Sequence, residues 1–144
     1  MNKKKAEFAK YEAHISGDTH IHVSTRNAKL GNGVHNISLL PGSRRLRKKD
    51  GTLLSNIPGT CGGCCANCEG NCYAIKYTLR QHNTCVPAYQ DNTILALHDP
   101  DRYWNEIQAY IDNGIVSVFR FHVAGEIPNE DYLVGLIKFA IKNP

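Results

Sequence analysis

Two short segments near the N-terminus carry the first pattern that is typical of β-structure. Residues 20–24 and 34–40 are rich in β-branched and apolar side chains, and residues 29–33 between them include Gly31 and Gly33. Glycine adopts the positive φ angles that a tight turn needs. The pattern therefore predicts a β-hairpin that ends at residues 41–43.

Apolar residues at helical spacing predict four helices farther along the chain. Residues 72–81 and 87–97 are predicted as two short helices. A longer helix is predicted between the N-cap pair at residues 99–100 and the C-cap pair at residues 113–114. A last helix is predicted to begin after residues 128–129.

One strand is predicted between the last two helices. Residues 115–121 are nearly all apolar and β-branched, which is typical of a parallel strand that is buried on both faces. Polar and glycine-bearing residues follow at 122–126, and the carboxyl ends of parallel strands are where α/β folds bind ligands. We expect an α/β (or α+β) fold, with an N-terminal hairpin followed by the first βα units of a partial barrel.

The length of 144 residues predicts a single domain. A complete α/β barrel needs about 200 residues or more, so we expect this chain to be truncated and a second chain or a homo-oligomer to complete the barrel. The predicted domain comprises a flexible lead-in (1–13), the hairpin (14–43), a basic and glycine-rich loop (44–60), a cysteine loop (61–72), and the helices and strand of residues 73–144.

The composition excludes several classes of protein. Hydrophobic residues make up 42% and charged residues 21%, which fits neither a disordered nor a fibrous chain. The apolar runs are too short to span a bilayer. Residues 6–16 are too polar for the apolar part of an export signal. We therefore expect a cytoplasmic protein whose thiols stay reduced.

Five of the six cysteines fall within residues 61–72. A reducing compartment disfavours a disulfide framework, so a cluster this dense indicates a metal or iron–sulfur site. The four glycines and one proline of residues 56–71 predict an irregular ligand loop without a helix. The candidate ligands are Cys61, Cys64, Cys65, Cys68 and Cys72.

Two spacings can be recognised in this loop, and each supplies three thiolates. Cys61, Cys65 and Cys68 form C-x3-C-x2-C, whereas Cys61, Cys68 and Cys72 form C-x6-C-x3-C. Three thiolates suit a [4Fe-4S] cluster that has one open iron. One alternative is a structural Zn²⁺ site in which His82 or Cys85 is an additional ligand. The other is that the thiols bind no metal and pack as small hydrophobic side chains. Zinc ribbons place their two C-x2-C pairs about 15 to 20 residues apart, and the sequence has no second pair at that distance.

The residues that follow the first cysteine resemble a known family. Residues 61–74, with C-x6-C-x3-C-Tyr-Ala, resemble the cysteine motif of the phage gene product 88 family, whose barrel proteins are related to radical S-adenosylmethionine enzymes. The likeness runs from about residue 34 to residue 144 through residues 88–92, 99–100, 119–122, 125–126 and 132. It implies the cytoplasm of a bacterial host cell as the location.

The resemblance also implies a chemistry and a set of cofactor contacts. A reduced cluster of this kind cleaves S-adenosylmethionine to a radical, with Gly125 and Glu126 at the amino group of that cofactor. Arg120 or His122 would contact its carboxylate or the substrate, and Tyr73 would cover the cluster. Whether the chain alone is an enzyme stays open, because the missing part of the barrel would hold most of the substrate pocket.

The sequence departs from the family pattern before the last cysteine of the motif. An aromatic residue usually stands there, whereas Asn67 precedes Cys68. This difference favours Cys61, Cys68 and Cys72 over the register that uses Cys65. For Arg120, an ion pair with Glu126 is an equal alternative to a pocket role.

The formal charge is +4, and its densest run is Arg44, Arg45, Arg47, Lys48 and Lys49. These residues are predicted to form an exposed loop, which by default is only a solvated surface. The functional alternative is contact with a phosphate backbone or a protein. It leads to a second hypothesis, a non-catalytic, metal-stapled interaction or anti-defence protein that contacts a host complex or nucleic acid.

Overall fold

The computed structural model describes residues 17–27 and 31–144, and it confirms the mixed α/β class and the N-terminal hairpin. The predicted lead-in, residues 1–13, lies outside the described residues. The elements are β1 (Val23–Asn27), β2 (Gly31–Ile37), α1 (Ala66–Asn71), α2 (Tyr73–Arg80), α3 (His82–His98), α4 (Pro100–Asn113), β3 (Val118–Phe121) and α5 (Glu130–Lys142).

The strands form one sheet in the order β1-β2-β3. β1 and β2 are antiparallel, with Val23 opposite Ile37, whereas β2 and β3 are parallel, with Ile37 opposite Phe121. A parallel pair needs a long crossover, which α1 to α4 provide. The three strands form an open sheet, and a barrel stays a prediction.

The hairpin strands differ in their limits from the predicted segments because competing hydrogen bonds end them. The N–H groups of Ile21 and His22 donate to Glu106 Oε2 at 2.9 Å and to Asn92 Oδ1 at 2.7 Å, so β1 begins only at Val23. Beyond Ile37, the N–H of Leu40 donates to Thr93 Oγ1 at 2.9 Å.

The prediction that residues 115–121 form a strand buried on both faces is wrong. The strand has four residues, and Ile115 and Val118 are 94% and 54% exposed. Within the described residues β3 is an edge strand that pairs only with β2, and the helices cover only the face that carries Phe119 and Phe121. Apolar composition alone does not reveal which face of a strand is covered.

Helix α3 begins at His82, five residues before the predicted helix at 87–97. Pro87 lies inside it and removes one backbone hydrogen bond, but it does not start the helix.

The predicted caps of the next two helices are confirmed. Asp99 Oδ1 accepts from the N–H of Arg102 at 3.2 Å at the start of α4, and α4 ends before Gly114. Asn129 caps α5.

Two groups of buried apolar residues hold these elements together. The first fills the space between the sheet, α4 and α5 and includes Tyr103, Ile107, Tyr132 and Phe139. The second lies where residues 40–57 meet α3 and comprises Leu40, Leu46, Ile57, Val86 and Ile94. The segment between the hairpin and the cysteines is therefore anchored by its own core.

The outer face of α5 remains apolar and exposed, through Leu133, Val134, Ile137 and Ile141. The expectation that a second chain or homo-oligomer completes the fold stays a prediction. None of the helices within residues 17–27 and 31–144 has the length and apolarity that a bilayer crossing requires.

Asn92 links α3 to the residue before β1 and to the residue after β2, and it gives a direct test of this architecture. It is fully buried, and its amide nitrogen donates to His22 O at 3.0 Å and to Ser38 O at 2.9 Å. Asn92→Ala leaves these buried groups unpaired, so we expect the free energy of unfolding to fall by about 2–4 kcal/mol in urea titrations. Asn83→Ala, at an exposed position of the same helix, should change it by less than about 0.5 kcal/mol. Equal losses would contradict the role of Asn92.

Candidate metal centre

Three segments meet beside the cysteine loop, and we call them the three-segment junction: residues 39–42, 59–61 and 124–126. The N–H of Thr60 donates to Leu40 O at 2.8 Å, and the N–H of Cys61 donates to Gly42 O at 3.0 Å. The N–H of Leu39 donates to Ala124 O at 3.0 Å. The junction therefore binds the chain before the first cysteine to the chain after β3.

The Thr60 hydroxyl connects all three segments. It donates to Leu40 O at 3.1 Å and accepts from the N–H of Glu126 at 2.9 Å. Thr60 is 4% exposed, so both bonds are protected from water. Cys61 and Glu126, which are far apart in sequence, are held beside each other as a result.

Glycine is required at two positions of the junction because the backbones approach closely. A Cβ at Gly59 would lie 2.2 Å from Pro41 O, and a Cβ at Gly125 would lie 2.8 Å from Leu39 Cβ. Gly125 also has a φ of +79°, which side chains rarely adopt. Gly125, predicted as a cofactor contact, thus has a packing role in the junction.

The thiol of Cys61 is partly buried at the edge of the junction. Its Sγ accepts from the N–H of Gly42 at 3.3 Å. Burial raises the pKa of Cys61; the Gly42 N–H opposes this, and the nearby Cys64, Cys72 and Glu126 add to it. Cys61 is therefore within electrostatic reach of two further thiols and of the Glu126 carboxylate.

The other thiols of the loop are also close to one another. The pKa of Cys68 is raised, first by desolvation and then by Cys64, Cys65, Cys72 and Glu69. Cys65 and Cys68 are exposed, whereas Cys61, Cys64 and Cys72 are half-buried, and all are free thiols. The five candidate ligands thus form one neighbourhood of soft donors.

The thiols do not converge on one point. Within residues 17–27 and 31–144, no three side chains of His, Cys, Asp or Glu are placed to hold a metal ion. The donor chemistry fits an iron–sulfur cluster or Zn²⁺, but binding either requires the loop to close further.

The prediction that residues 56–71 hold no helix is wrong, because α1 occupies Ala66–Asn71. The proline and three of the four glycines precede it, and Cys65 Sγ caps it by accepting from the N–H of Cys68 at 3.4 Å. This helix has only six residues, none of them buried. It is a local turn whose end can change without disturbing a core.

Glu69 fastens α1 to Ser43, the residue that follows the first segment of the junction, a role that sequence reasoning missed. Its Oε1 accepts from both the N–H and the hydroxyl of Ser43 at 2.8 Å. The backbone bond and then the hydroxyl bond lower the pKa of Glu69, and the guanidinium of Arg44 at 3.9 Å contributes. An acidic residue between two cysteines was the only signal in the sequence.

The predicted cofactor contacts at the end of β3 occupy different surroundings. Glu126 is exposed, and its Oε1 accepts from the N–H of Ile127 at 3.0 Å. Arg120 is exposed and forms no ion pair with Glu126 in the described part of the chain. The strand ends at Phe121, so its alternation does not place Arg120 and His122 on one face.

His122 has a φ of +57°. It is the one non-glycine residue with a positive φ in the part of the chain that the structure describes. Its ring lies against Tyr132, with centroids 5.4 Å apart, and both ring nitrogens are buried without a hydrogen-bond partner. Burial lowers the pKa of His122, while the Glu126 carboxylate opposes the shift. A neutral imidazole is therefore favoured next to the junction.

The remaining candidates are distributed around the loop. Tyr73 is 64% exposed and stacks on Tyr77, with ring centroids 6.3 Å apart. Cys85 lines a cavity with His22 and Tyr89, and none of the cysteines of residues 61–72 lines it. His82 Nδ1 contacts Leu79 O at 3.1 Å. The zinc alternative that enlists His82 or Cys85 gains no support from these positions.

The basic residues of the predicted exposed loop, Arg44, Arg45, Arg47, Lys48 and Lys49, are all exposed. Leu46 between them is buried in the second core, and Arg47 pairs with Leu53 in an isolated β-bridge. This loop is therefore anchored, and its charges point away from the core.

The junction predicts an unequal cost for two glycine substitutions that share a positive φ. Gly51→Ala, at φ +86° in open space, should cost about 1 kcal/mol of unfolding free energy from backbone strain alone. Gly125→Ala adds a clash with Leu39, so about 2–4 kcal/mol is expected in urea titrations. If both variants lose the same amount, the close approach is not what holds the junction.

Comparison with known proteins adds one match. A family model described as gene product 88 matches residues 22–144, which is most of the chain. Neither a curated protein nor a solved structure matches the chain.

Proposed function

Because this chain belongs to the gene product 88 family, a phage gene product family, we propose that it is a phage-type iron–sulfur protein. The ligands of its [4Fe-4S] cluster are Cys61, Cys68 and Cys72. The observation that carries this proposal is the neighbourhood of five free thiols beside Glu126, which the Thr60 hydroxyl holds at the cysteine loop.

The choice of ligands follows from how each thiol is held. Cys61 is fixed by the junction, and Cys72 directly precedes α2 as its N-cap residue. Cys68 lies between them on the short α1. Cys65 is engaged in capping α1, which makes it, with Cys64, a reserve ligand.

Loop closure costs little buried packing. Moving Cys68 toward Cys61 requires α1 to shift, and this helix has no buried residue to lose. Its attachments are the Ser43–Glu69 bonds and the weak Cys65 cap. Metal ions also displace protons from thiols, so ligand binding can supply the free energy for closure.

A cluster of this kind, when bound, supplies the electron for reductive cleavage of S-adenosylmethionine. The chain contributes the Glu126 carboxylate for the amino group of that molecule. Glu126 Oε1 accepts from the N–H of Ile127, which leaves Oε2 as the acceptor for that amino group. The two ring nitrogens of His122 are buried nearby without a hydrogen-bond partner.

Metal and acid-labile sulfide content test the proposal. Protein reconstituted without oxygen should hold about four irons and four sulfides per chain, with a visible band that dithionite bleaches. Cys61→Ser, Cys68→Ser and Cys72→Ser should each lose most of the iron. Cys85→Ser, outside the loop, is the matched control and should retain it.

Two results would contradict the proposal. About one Zn²⁺ per chain without sulfide would identify a structural metal site instead. Equal iron loss in the Cys85→Ser control would show that the metal is not held by the cysteine loop.

The role of Glu126 predicts a separate binding result. Glu126→Gln keeps the backbone bond to Thr60 but removes the charge, so the reconstituted variant should bind S-adenosylmethionine about tenfold more weakly in calorimetry. Glu130→Gln, another exposed carboxylate nearby in sequence, should bind like the parent protein. Unchanged affinity in Glu126→Gln would remove Glu126 from the cofactor site.

A further inference from the structure

A cationic cavity of about 590 Å³ lies away from the proposed cluster ligands. The basic loop and the α2–α3 region line it together, through Lys48, Lys49, Lys76, Leu79, Arg80 and His82. The size falls within the range of small-molecule sites, which is roughly 300–1,000 Å³. We call this feature the cationic cavity.

The positive charges of this cavity lie on exposed side chains. Lys48, Lys49, Lys76 and Arg80 are exposed, and none forms an ion pair with a carboxylate in the described residues. Asp50, in the same turn, accepts from the N–H of Thr52 at 2.9 Å. Hydrogen bonds from the side chain and the N–H of Thr52, together with the charge of Lys48, lower the pKa of Asp50, although the Asp50 and Lys48 side chains form no ion pair. No acidic residue lines the cavity.

The fold, rather than the charge run alone, creates this concentration of charge. Lys48 and Lys49 are held in a tight turn, in which the N–H of Lys48 donates to Thr52 O at 2.9 Å. Lys76 and Arg80 are four residues apart on α2 and therefore share a helix face. Because like charges repel, bringing two cationic pairs together is unfavourable unless an anion is bound.

The non-charged lining narrows the ligand class. Leu79 supplies an apolar surface, and His82 adds a flat ring at the start of α3. The Nδ1–H of His82 faces the Leu79 carbonyl, which leaves Nε2 for a ligand. Cations around a small apolar and aromatic surface suit phosphates that carry a nucleoside.

We propose that the cationic cavity binds the phosphates of a nucleotide-type ligand, contacted by Lys48, Lys49, Lys76 and Arg80. The phosphates come from a free nucleoside triphosphate or from the backbone of a nucleic acid strand. This site is separate from the iron–sulfur site, because none of its lining residues is a cysteine.

The test uses the full chain and two probes, a fluorescein-labelled twelve-residue oligothymidylate and ATP. The double variant Lys76→Ala/Arg80→Ala should bind about tenfold or more weakly than the parent protein to each probe that the parent protein binds. The number of phosphate contacts calculated from the salt dependence of the affinity should also fall by about one to two. Circular dichroism checks that both alanines preserve α2.

Lys138→Ala/Lys142→Ala on α5 is the matched control, because it removes the same charge from another surface. It should change the affinity less than about threefold. Competition by ATP against the oligonucleotide identifies free nucleotide as a ligand, whereas binding of the oligonucleotide without competition identifies the nucleic acid backbone.

Two outcomes overturn the proposal: neither probe binds the parent protein at low salt, or the control loses as much affinity as the cavity variant. The second result would show attraction by net charge alone. Iron content is measured separately, so failure here and failure of the cluster proposal are distinguishable.

Discussion

The rest of this structure depends on the hydrogen bonds of one buried hydroxyl. Thr60 donates to Leu40 O and accepts from the N–H of Glu126, and so it joins the hairpin exit, the cysteine loop and the chain after β3. Backbone bonds from Thr60 to Leu40, from Cys61 to Gly42 and from Leu39 to Ala124 also join these segments, and the hydroxyl adds the bond that brings Glu126 beside Cys61. The glycines at 59 and 125 make the link possible, because no side chain fits between these backbones.

Two chemically different surfaces are arranged around helix α2. Its N-cap residue, Cys72, belongs to the thiol neighbourhood, while Lys76 and Arg80 farther along it line the cationic cavity. The second core fixes the intervening segment, since Leu46 and Ile57 are buried within the loop that carries the arginines and lysines. The cysteine thiols and the cationic side chains therefore lie at different positions along one helix.

Local signals predicted most of the elements, whereas long-range packing decided the rest. The caps at Asp99 and Asn129 follow from side-chain chemistry within one turn, and so they were predictable. The exposure of Ile115 and Val118 was not, because it depends on what lies next to the strand. The approach of Cys61 to Glu126 was expected only because the family resemblance implies one cofactor site for the cluster and Glu126. The roles of Thr60 and Glu69 were missed, since nothing in the local sequence marks Thr60 and the only signal for Glu69 is its position between two cysteines.

The most direct test of the central claim is iron X-ray absorption on the anaerobically reconstituted protein. The account predicts iron surrounded by sulfur together with scattering from neighbouring irons, and loss of this signal in Cys61→Ser. Absence of iron–iron scattering, or a site that holds only zinc in a sulfur environment, would contradict the assignment of the cysteine loop to an iron–sulfur cluster.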